Sequence, residues 1–299
     1  MLDISFEKYC VVIASHNPPI DMLTNTISYL VNTKVKVYLV DSTPEDNSNN
    51  IPLQAKIEQY KGGRFFELIK IKENLGEGYN YNKGLEKCIS DGFKLITLFS
   101  DDVIIEENYF KPVNIINFFN TKCLYDKDIL SLYNSGRDST IVKTTGSVVD
   151  SGITASSDLF KKIMFRTEFL MDQQDVYFCY QVRQYGGTIY IYPYPAISVL
   201  PVGRESNGQV HYLSIWRIYL LSRNTLTLFL ETHKSEFLFS WLKYTGGYTI
   251  RFLLYGTNPT SAVRSVLYSI EDAIHGNLGI TEHLAFLSNG RFRTEFKNY

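Results

Sequence analysis

The stretch LITLFSDDV, Leu95 to Val103, runs five β-prone residues, four of them apolar, into Ser100 and then into two adjacent carboxylates, Asp101 and Asp102. A run so short and so apolar predicts a strand covered on both faces. Acids where such a strand meets solvent predict the end at which an open α/β sheet binds its ligand. Three upstream runs read the same way: CVVIAS (Cys10 to Ser15), KVYLVDS (Lys36 to Ser42) and FELIKI (Phe66 to Ile71). Between them, Leu23, Ile27, Leu30 and Val31 keep helical spacing, with Asp21 placed to cap the start, and Tyr81, Leu85, Cys88 and Ile89 repeat it. Alternating strand and helix predicts a parallel, doubly wound sheet up to about residue 103.

The second half opens on a strand-like VVDSG (Val148 to Gly152), followed by a helix from Asp172 to Tyr185 that Gly186-Gly187 would stop. Strands TIYIYP (Thr188 to Pro193) and PAISVLPVG (Pro195 to Gly203) come next, and from His211 the chain reads as mostly helical and rich in Tyr, Phe, Leu and Trp. No linker divides the 299 residues, and no internal repeat is visible. One large α/β domain with an appendage fits that length.

Thirty basic residues against 31 acidic ones give a formal charge of -1, which argues against a surface that tracks nucleic acid backbone. Cys10, Cys88, Cys123 and Cys179 stand far apart in no zinc-ligand spacing, and they read as reduced core thiols in a cytoplasmic protein. No signal peptide is expected at the start. The apolar-rich stretches Ile215 to Leu230 and Phe237 to Gly256 are broken by Arg217, Arg223, Asn224, Lys243 and Arg251, so neither reads as a transmembrane helix.

Four strand ends carry small polar or acidic groups: Ser15-His16-Asn17, Asp41-Ser42-Thr43, Asn74-Leu75-Gly76 and Ser100-Asp101-Asp102. They predict one shared pocket. Adjacent carboxylates raise each other's pKa unless a cation lies between them and a ligand, and oxygen donors suit Mg²⁺ or Mn²⁺ with a substrate phosphate completing the shell. An acidic turn before a helix would explain the same residues without a metal. In NLGEGYNYNKGL, Asn74 to Leu85, Gly76, Gly78 and Gly84 permit close backbone approach at a helix start, where free N–H groups favour an anion. The spacing is not that of a dinucleotide fingerprint, and an ordinary glycine-rich loop also fits.

Asp172, Asp175 and Cys179 would share a helical face. Asp175 falls in the first turn, where the helix dipole favours the ionised carboxylate that a general base requires, while capping the helix is the plainer role for Asp172. In HYLSIWRIYLLSRN, His211 to Asn224, guanidinium groups stand among large apolar residues. Arg217 suits a snorkelling arginine, Arg223-Asn224 suits a phosphate or carboxylate partner, and His211 alone suits a structural role.

Taken in order, these segments resemble the family 2 glycosyltransferases of the GT-A fold, on the branch of rhamnosyltransferase-like and galactofuranosyltransferase-like enzymes. VVIASHNPP is similar to the opening strand of that branch and VYLVDST to its second, while NLGEGYNYNKGL resembles its N-x-G-x-x-x-A-x-N-x-G segment. LFSDDV resembles its D-x-D region, DSGITASSDLF its acceptor-side S-G segment, MDQQDVYFCYQVRQYGG its I-D-x-x-D helix and RIYLLSRN its R-x-Y-Y-x-x-R-N motif. The likeness runs from about residue 9 to about residue 285. Ser100 departs from the usual first aspartate, and Leu200 stands where a histidine is common; His211 would substitute for it, or a third protein ligand is missing.

The resemblance implies a Rossmann-like, mostly parallel sheet flanked by helices over residues 1–210, split into a nucleotide-sugar half (1–103) and an acceptor half (104–210), with a helical extension over 211–299. It implies an inverting hexosyltransferase that moves rhamnose or a galactofuranose-like sugar from a UDP- or dTDP-linked donor to a hydroxyl of a glycan in surface polysaccharide biosynthesis, O-antigen included. Ser15, Asn17, Asp41, Ser42, Asn74, Gly76, Asn82, Asp101, Arg223 and Asn224 would hold the nucleotide sugar. Asp102 with His211 would bind Mn²⁺ or Mg²⁺, Ser151, Gly152, Asp172 and Arg217 the acceptor, and Asp175 would be the base. The implied partner is a polyprenyl-diphosphate-linked or free glycan. The aromatic C-terminal helices fit a peripheral contact with the cytoplasmic face of the inner membrane, and equally well packing against the catalytic domain or a homodimer contact. The alternative is a catalytically silent relative that binds nucleotide sugar or scaffolds a complex.

Overall fold

The computed structural model describes residues 4–48, 50–123, 126–134, 142–199, 204–206, 211–255 and 259–288, with the backbone alone for 142, 204–206, 211–213 and 259. The chain divides into two compact units, Met1–Arg166 with Asp175–Leu200, and Thr167–Gln174 with Pro201–Tyr299.

The first unit is built in the order β1 (Tyr9–Ser15), α1 (Ile20–Asn32), β2 (Lys36–Asp41), α2 (Asn50–Ile57), β3 (Phe66–Lys70), α3 (Glu77–Ser90), β4 (Leu95–Ser100) and β5 (Val103–Ile105). It continues with α4 (Pro112–Lys122), β6 (Ile129–Ser131), β7 (Val142–Thr144), β8 (Ile153–Ser156), α5 (Ser157–Phe160), α6 (Gln174–Gln184), β9 (Ile189–Ile191) and β10 (Ile197–Val199). Eight of these strands form one sheet in the order β3-β2-β1-β4-β8-β6-β9-β7. The first four run parallel, and β8 then enters antiparallel to both β4 and β6.

The alternation along β1 shows why these strands had to be apolar throughout. Tyr9, Val11 and Ile13 pack with Leu23, Ile27 and Leu30 of α1, whereas Cys10, Val12 and Ala14 pack with Tyr81, Leu85 and Cys88 of α3. Both faces are covered, so both residue parities must be apolar. β3, at the sheet edge, is only half-buried beyond Phe66, which is where FELIKI tolerates Glu67 and Lys70. Gly84 has a packing role and not a ligand role: a Cβ there would overlap Val12 Cγ1 and crowd Val40, so only glycine lets α3 lie this close to β1 and β2. All four cysteines are free and buried.

Several expected boundaries move. Pro19 precedes α1 as its N-cap, so Asp21 lies inside the first turn, where it pairs with Lys56. VVDSG is a turn that delivers the chain to β8, because Gly152 takes φ 92° and its N–H bonds Leu98 O at 2.7 Å. α6 starts at Gln174 and not Asp172, and it does end at the expected glycine, with Gly186 at φ 80°. The strands β5, β6 and β7 and the helices α2 and α4 carried no signal strong enough to assign from sequence.

The second unit holds the hairpin β11 (Arg204–Ser206) and β12 (His211–Leu213) and the helices α7 (Ile215–Thr232), α8 (Ser235–Tyr255), α9 (Pro259–His275) and α10 (Glu282–Leu287). α7 packs against both α8 and α9, burying Ile218, Leu221, Phe252 and Ala262 together. Tyr219, Leu220 and Leu284 form a neighbouring cluster with Leu170. Among the described residues no helix is long and apolar enough to cross a membrane.

Candidate active site

The carboxyl ends of β1, β2 and β4 open on one side of the sheet, as parallel register demands. At the end of β1 the chain turns through Asn17, which takes a left-handed φ of 54° that asparagine tolerates better than most residues, and its N–H bonds Thr43 Oγ1 at 2.8 Å. Asn80, on α3, donates through one Nδ2 to Ser15 O at 3.2 Å and Ser42 Oγ at 3.0 Å, stitching the ends of β1 and β2 together. Its Oδ1 is buried with no hydrogen-bond partner in the structure. A buried amide oxygen without a donor costs stability, and a ligand N–H or O–H would satisfy it.

Asp41 is 0% exposed and fully engaged: Lys70 Nζ donates to one oxygen at 2.7 Å, and Thr43 donates through N and Oγ1 to the other at 3.0 and 2.6 Å. A buried carboxylate requires such partners. Asp41 therefore shapes the strand end by fixing Thr43 and Lys70, with three of its roughly four acceptor positions taken. Ser42, also buried, donates to Ser15 O at 3.2 Å. Asn74 accepts the Gly76 N–H at 3.0 Å, and Gly76 caps α3 at φ 89°.

Beside these lies an acidic group. Asp101 and Asp102 occupy the turn between β4 of the large sheet and β5, which pairs with β10 in a small one. Asp101 accepts the backbone N–H of His16 at 2.9 Å. Burial first, and then the Asp102 charge, push the Asp101 carboxyl up to about 7, against the opposing effect of the His16 amide. The Ser100 hydroxyl donates to Asp102, and its backbone N–H bonds Ser151 Oγ at 2.9 Å. Gly152 completes that approach, because a Cβ there would stand 2.6 Å from Ile197 Cδ1. Glu77, in the first turn of α3, is driven well above the usual carboxylate range by burial and then by Asp150 and Asp102. Glu77, Asp150 and Asn80 were not singled out from sequence. Glu77 and Asn80 sit inside the glycine-rich segment that was, and Asp150 directly precedes Ser151.

Asp101 and Glu77 are raised first by burial and then by neighbouring carboxylates, Asp102 among them, and a cation would offset that repulsion; the oxygens suit Mg²⁺ or Mn²⁺. Among the described residues no set of three or more His, Cys, Asp or Glu side chains converges to hold a metal by itself. The donor set thus fits a metal whose shell is finished by phosphate and water. The side chain of His211, expected as a ligand, and the whole of Leu200 lie outside the described residues.

Asp175 falls in the first turn of α6, half-buried, where Oδ1 accepts the Val176 N–H at 2.7 Å. Asn82, expected at the donor, bonds the chain at Phe165. Its amide donates to Phe165 O at 2.9 Å and accepts from Phe165 N at 3.0 Å, so both ends are used to pin α3 to that loop.

In the second unit, Arg223 and Asn224, expected at the donor, are held within the protein itself. Both are 0% exposed. Arg223 donates to Gly279 O at 2.7 Å and Asn224 Oδ1 at 3.0 Å, while Asn224 Nδ2 reaches the carbonyls of Phe169, Met171 and Asp172 at 3.0, 2.9 and 3.0 Å. These contacts tie Arg223 and Asn224 to each other and to the 167–174 segment and Gly279. The segment they hold is strained, with Leu170, Asp172 and Gln173 at φ of 62°, 58° and 69°. Each such residue costs about 1–3 kcal/mol unless its surroundings impose it. Arg217 closes the clamp with two hydrogen bonds to Asp172, at 2.6 and 3.2 Å. The two residues expected at the acceptor are thereby each other's partner, and Asp172 leaves the helical face predicted for it because its left-handed φ excludes it from α6. The clamped segment ends at Gln174, the residue before Asp175.

Residues 10–114 match the family model described as Glycosyl transferase family 2. Among solved structures, the mannosyltransferase PcManGT from Pyrobaculum calidifontis, in complex with GDP-Man and Mn²⁺, is 12% identical over 97% of this chain and 81% of its own, with a TM-score of 0.55. GalNAc-T7 with UDP, GalNAc and Mn²⁺ is 10% identical, with a TM-score of 0.50; the match covers 62% of this chain and only 42% of that one. No curated protein sequence matches the chain significantly. The fold is that of the GT-A glycosyltransferases, with a mostly parallel central sheet flanked by helices and a C-terminal helical region.

Proposed function

We propose that this chain is a glycosyltransferase that moves a sugar from a nucleoside-diphosphate donor to a hydroxyl acceptor. The observation that carries the reading is a coincidence of place: the family match over residues 10–114 ends just beyond the turn where Asp101 and Asp102 crowd with Glu77. The donor lies against Ser15, Asn17, Ser42, Asn74 and Gly76, with Asp41 holding the strand end behind them and the unpartnered Asn80 Oδ1 reading a donor N–H or O–H. Asp102, with Asp101 beside it, holds Mn²⁺ or Mg²⁺, which offsets the charge of the diphosphate leaving group. Both structurally similar proteins are complexes with Mn²⁺, one with UDP and the other with GDP-Man, which supports a divalent metal with a nucleotide sugar.

In the reaction, Asp175 takes the proton from the acceptor hydroxyl, whose oxygen attacks the anomeric carbon as the bond to the diphosphate breaks. Attack on the face opposite the departing diphosphate inverts that carbon, and the nucleoside diphosphate leaves. Ser151 and Gly152, next to Ser100, line the acceptor side. Rhamnose or a galactofuranose-like sugar, a UDP or dTDP donor and a lipid-diphosphate glycan acceptor are the finer terms of the proposal. They rest on the resemblance of the motifs.

A second reading, a silent relative that binds nucleotide sugar without turnover, draws on Ser100 in place of the first aspartate. Calorimetric titration of UDP, dTDP and GDP, each with and without Mn²⁺, on wild type and Asp102→Ala separates the two. Metal-enhanced binding of one nucleotide, lost in the variant, supports the enzyme. Binding indifferent to metal and to Asp102 supports the silent relative, and no binding at all overturns both.

A further inference from the structure

The outer face of α1 is polar but carries no charge. From Met22 to Thr33 there is no Asp, Glu, Lys or Arg, in a chain of which 20% is charged. Leu23, Ile27 and Leu30 point into the core, and on the other side Asn25, Ser28, Tyr29, Asn32 and Thr33 follow at i, i+3, i+4, i+7 and i+8 as one stripe of amides and hydroxyls. A solvated helix face ordinarily carries Lys and Glu, so a neutral stripe calls for another reason. With Glu107, these five residues line an open cavity of about 520 Å³, a volume of the order that small ligands occupy.

Glu107 belongs to the turn after β5, in which the N–H groups of Tyr109 and Phe110 both bond Glu106 O. The Tyr29 hydroxyl donates to Phe110 O at 2.6 Å and fastens that turn to α1. Two residues beyond Glu107, Tyr109 is 44% exposed and stacks on Tyr194, 48% exposed, with ring centroids 5.9 Å apart and planes 7° from parallel. The buried Tyr192 meets Tyr194 edge-on at 5.6 Å and fixes the pair. Two Cα steps span at most about 7.6 Å, so one extended ligand reaches both the cavity and the rings. All of these residues lie in the first unit. At 1.5 Å per residue, Asn25 to Asn32 lie ~8–18 Å along α1 from Ile20, away from the strand ends that form the donor pocket.

The lining selects the ligand. It holds no Lys or Arg for a phosphate and no aliphatic wall for a lipid chain. Tyr29 and Thr33 spend their hydroxyl hydrogens on backbone carbonyls and can only accept, whereas Asn25 and Glu107 are exposed and bond nothing among the described residues. Amides that both donate and accept, with a carboxylate that accepts, match the vicinal hydroxyls of a sugar, and a fixed tyrosine face matches the C–H face of its ring.

We propose that the outer face of α1, together with Glu107, Tyr109 and Tyr194, binds a neutral saccharide chain at a site separate from the donor pocket. Saccharide binding here stands without the glycosyltransferase reading. That the saccharide is the acceptor glycan, held at a distance from the reacting end, rests on that reading.

The test is saturation-transfer NMR of the full chain with maltotetraose, mannotetraose and chitotetraose, and with tetragalacturonate as the charged counterpart, each followed by titration for a Kd. Tyr109→Ala/Tyr194→Ala removes the stacked rings at exposed positions. Asn25→Ala/Asn32→Ala removes the amides by changes that favour a helix and so preserve the fold, and Tyr244→Ala, 42% exposed in the other unit, is the control. At least one neutral tetrasaccharide is expected to bind and tetragalacturonate to be excluded. Either double variant should raise the Kd about tenfold or more, with Tyr244→Ala unchanged. No binding of any neutral tetrasaccharide by the wild type, equal binding of tetragalacturonate, or equal loss in Tyr244→Ala overturns the proposal. Binding that survives both double variants overturns it as well, by placing the saccharide elsewhere. Nucleotide titration of the same proteins separates the two readings: saccharide binding in a protein that binds no nucleotide leaves this site standing while the donor-site reading fails.

Discussion

Replacing Asn224 by Leu, a side chain of similar size, removes the amide that reaches three carbonyls at 3.0, 2.9 and 3.0 Å and the oxygen that receives Arg223 Nε at 3.0 Å. An NH₂ group has two hydrogens, so the three contacts amount to two full bonds with one shared. At about 1 kcal/mol net for each of these two bonds and for the one from Arg223, the direct loss is about 3 kcal/mol. Carbonyls and a guanidinium left buried without that partner add about 1–3 kcal/mol, and burial of the new methyl groups returns part of it. The expected loss is about 3 kcal/mol, enough to free the left-handed turn at Leu170, Asp172 and Gln173. The protein carries its own probe, because its two tryptophans, Trp216 and Trp241, both lie in the second unit, on α7 and α8. Urea unfolding followed by tryptophan emission therefore reports on the clamped unit, and nucleotide titration of the same variant reports on the first. Lost nucleotide affinity with unchanged urea stability would refute the clamp and return Asn224 to the phosphate-binding role its motif suggested.

Three further outcomes follow from contacts elsewhere. Gly84→Ala forces a methyl group into Val12 and Val40 and should destabilise the first unit by about 1–3 kcal/mol, measured as thermal unfolding by far-ultraviolet circular dichroism. Lys70→Met strands the buried Asp41 carboxylate and should cost about 3–5 kcal/mol by the same measurement, with partial recovery in Lys70→Met/Asp41→Asn; equal stability of the two variants would count against the ion pair. Burial raises the Asp272 carboxyl, but hydrogen bonds from Tyr219, Asn277 and His283 outweigh it and hold the group below the usual carboxylate range. A depressed folded pKa stabilises above the unfolded value of about 3.9 and is lost as pH falls through the folded one. Tryptophan-monitored stability should hold at neutral pH, fall below about pH 4, and lose part of that acid dependence in Asp272→Asn.

Much of the first unit was legible because its information is local. β4 runs Leu95–Ser100, as the apolar run indicated, and α1 and α3 follow their helical spacing. The reversal of direction at β8 was not legible. VVDSG looks like a strand by composition, yet the left-handed Gly152 and its bond to Leu98 O make it a turn, a decision taken by a neighbour far away in sequence. The start of α6 was misplaced for a related reason: Asp172 has the residue type of a cap, but Arg217 and Asn224 pull it out of the helix.

The candidate site divides along the same line. By itself the sequence determined which chemistry is present: paired carboxylates after an apolar strand, a glycine-opened helix start and an aspartate in the first turn of a helix. Residue type fixes what a side chain can donate, accept or neutralise, and spacing fixes which short-range neighbours it has. The tertiary structure decided which of those capacities are spent. Lys70 and Thr43 engage Asp41, Phe165 engages Asn82, and backbone carbonyls engage Arg223 and Asn224, whereas Glu77 feels the charges of Asp101 and Asp102, and Asn80 keeps an oxygen without a partner. A buried polar group must find its partner wherever the fold delivers one, and that partner is commonly distant in sequence.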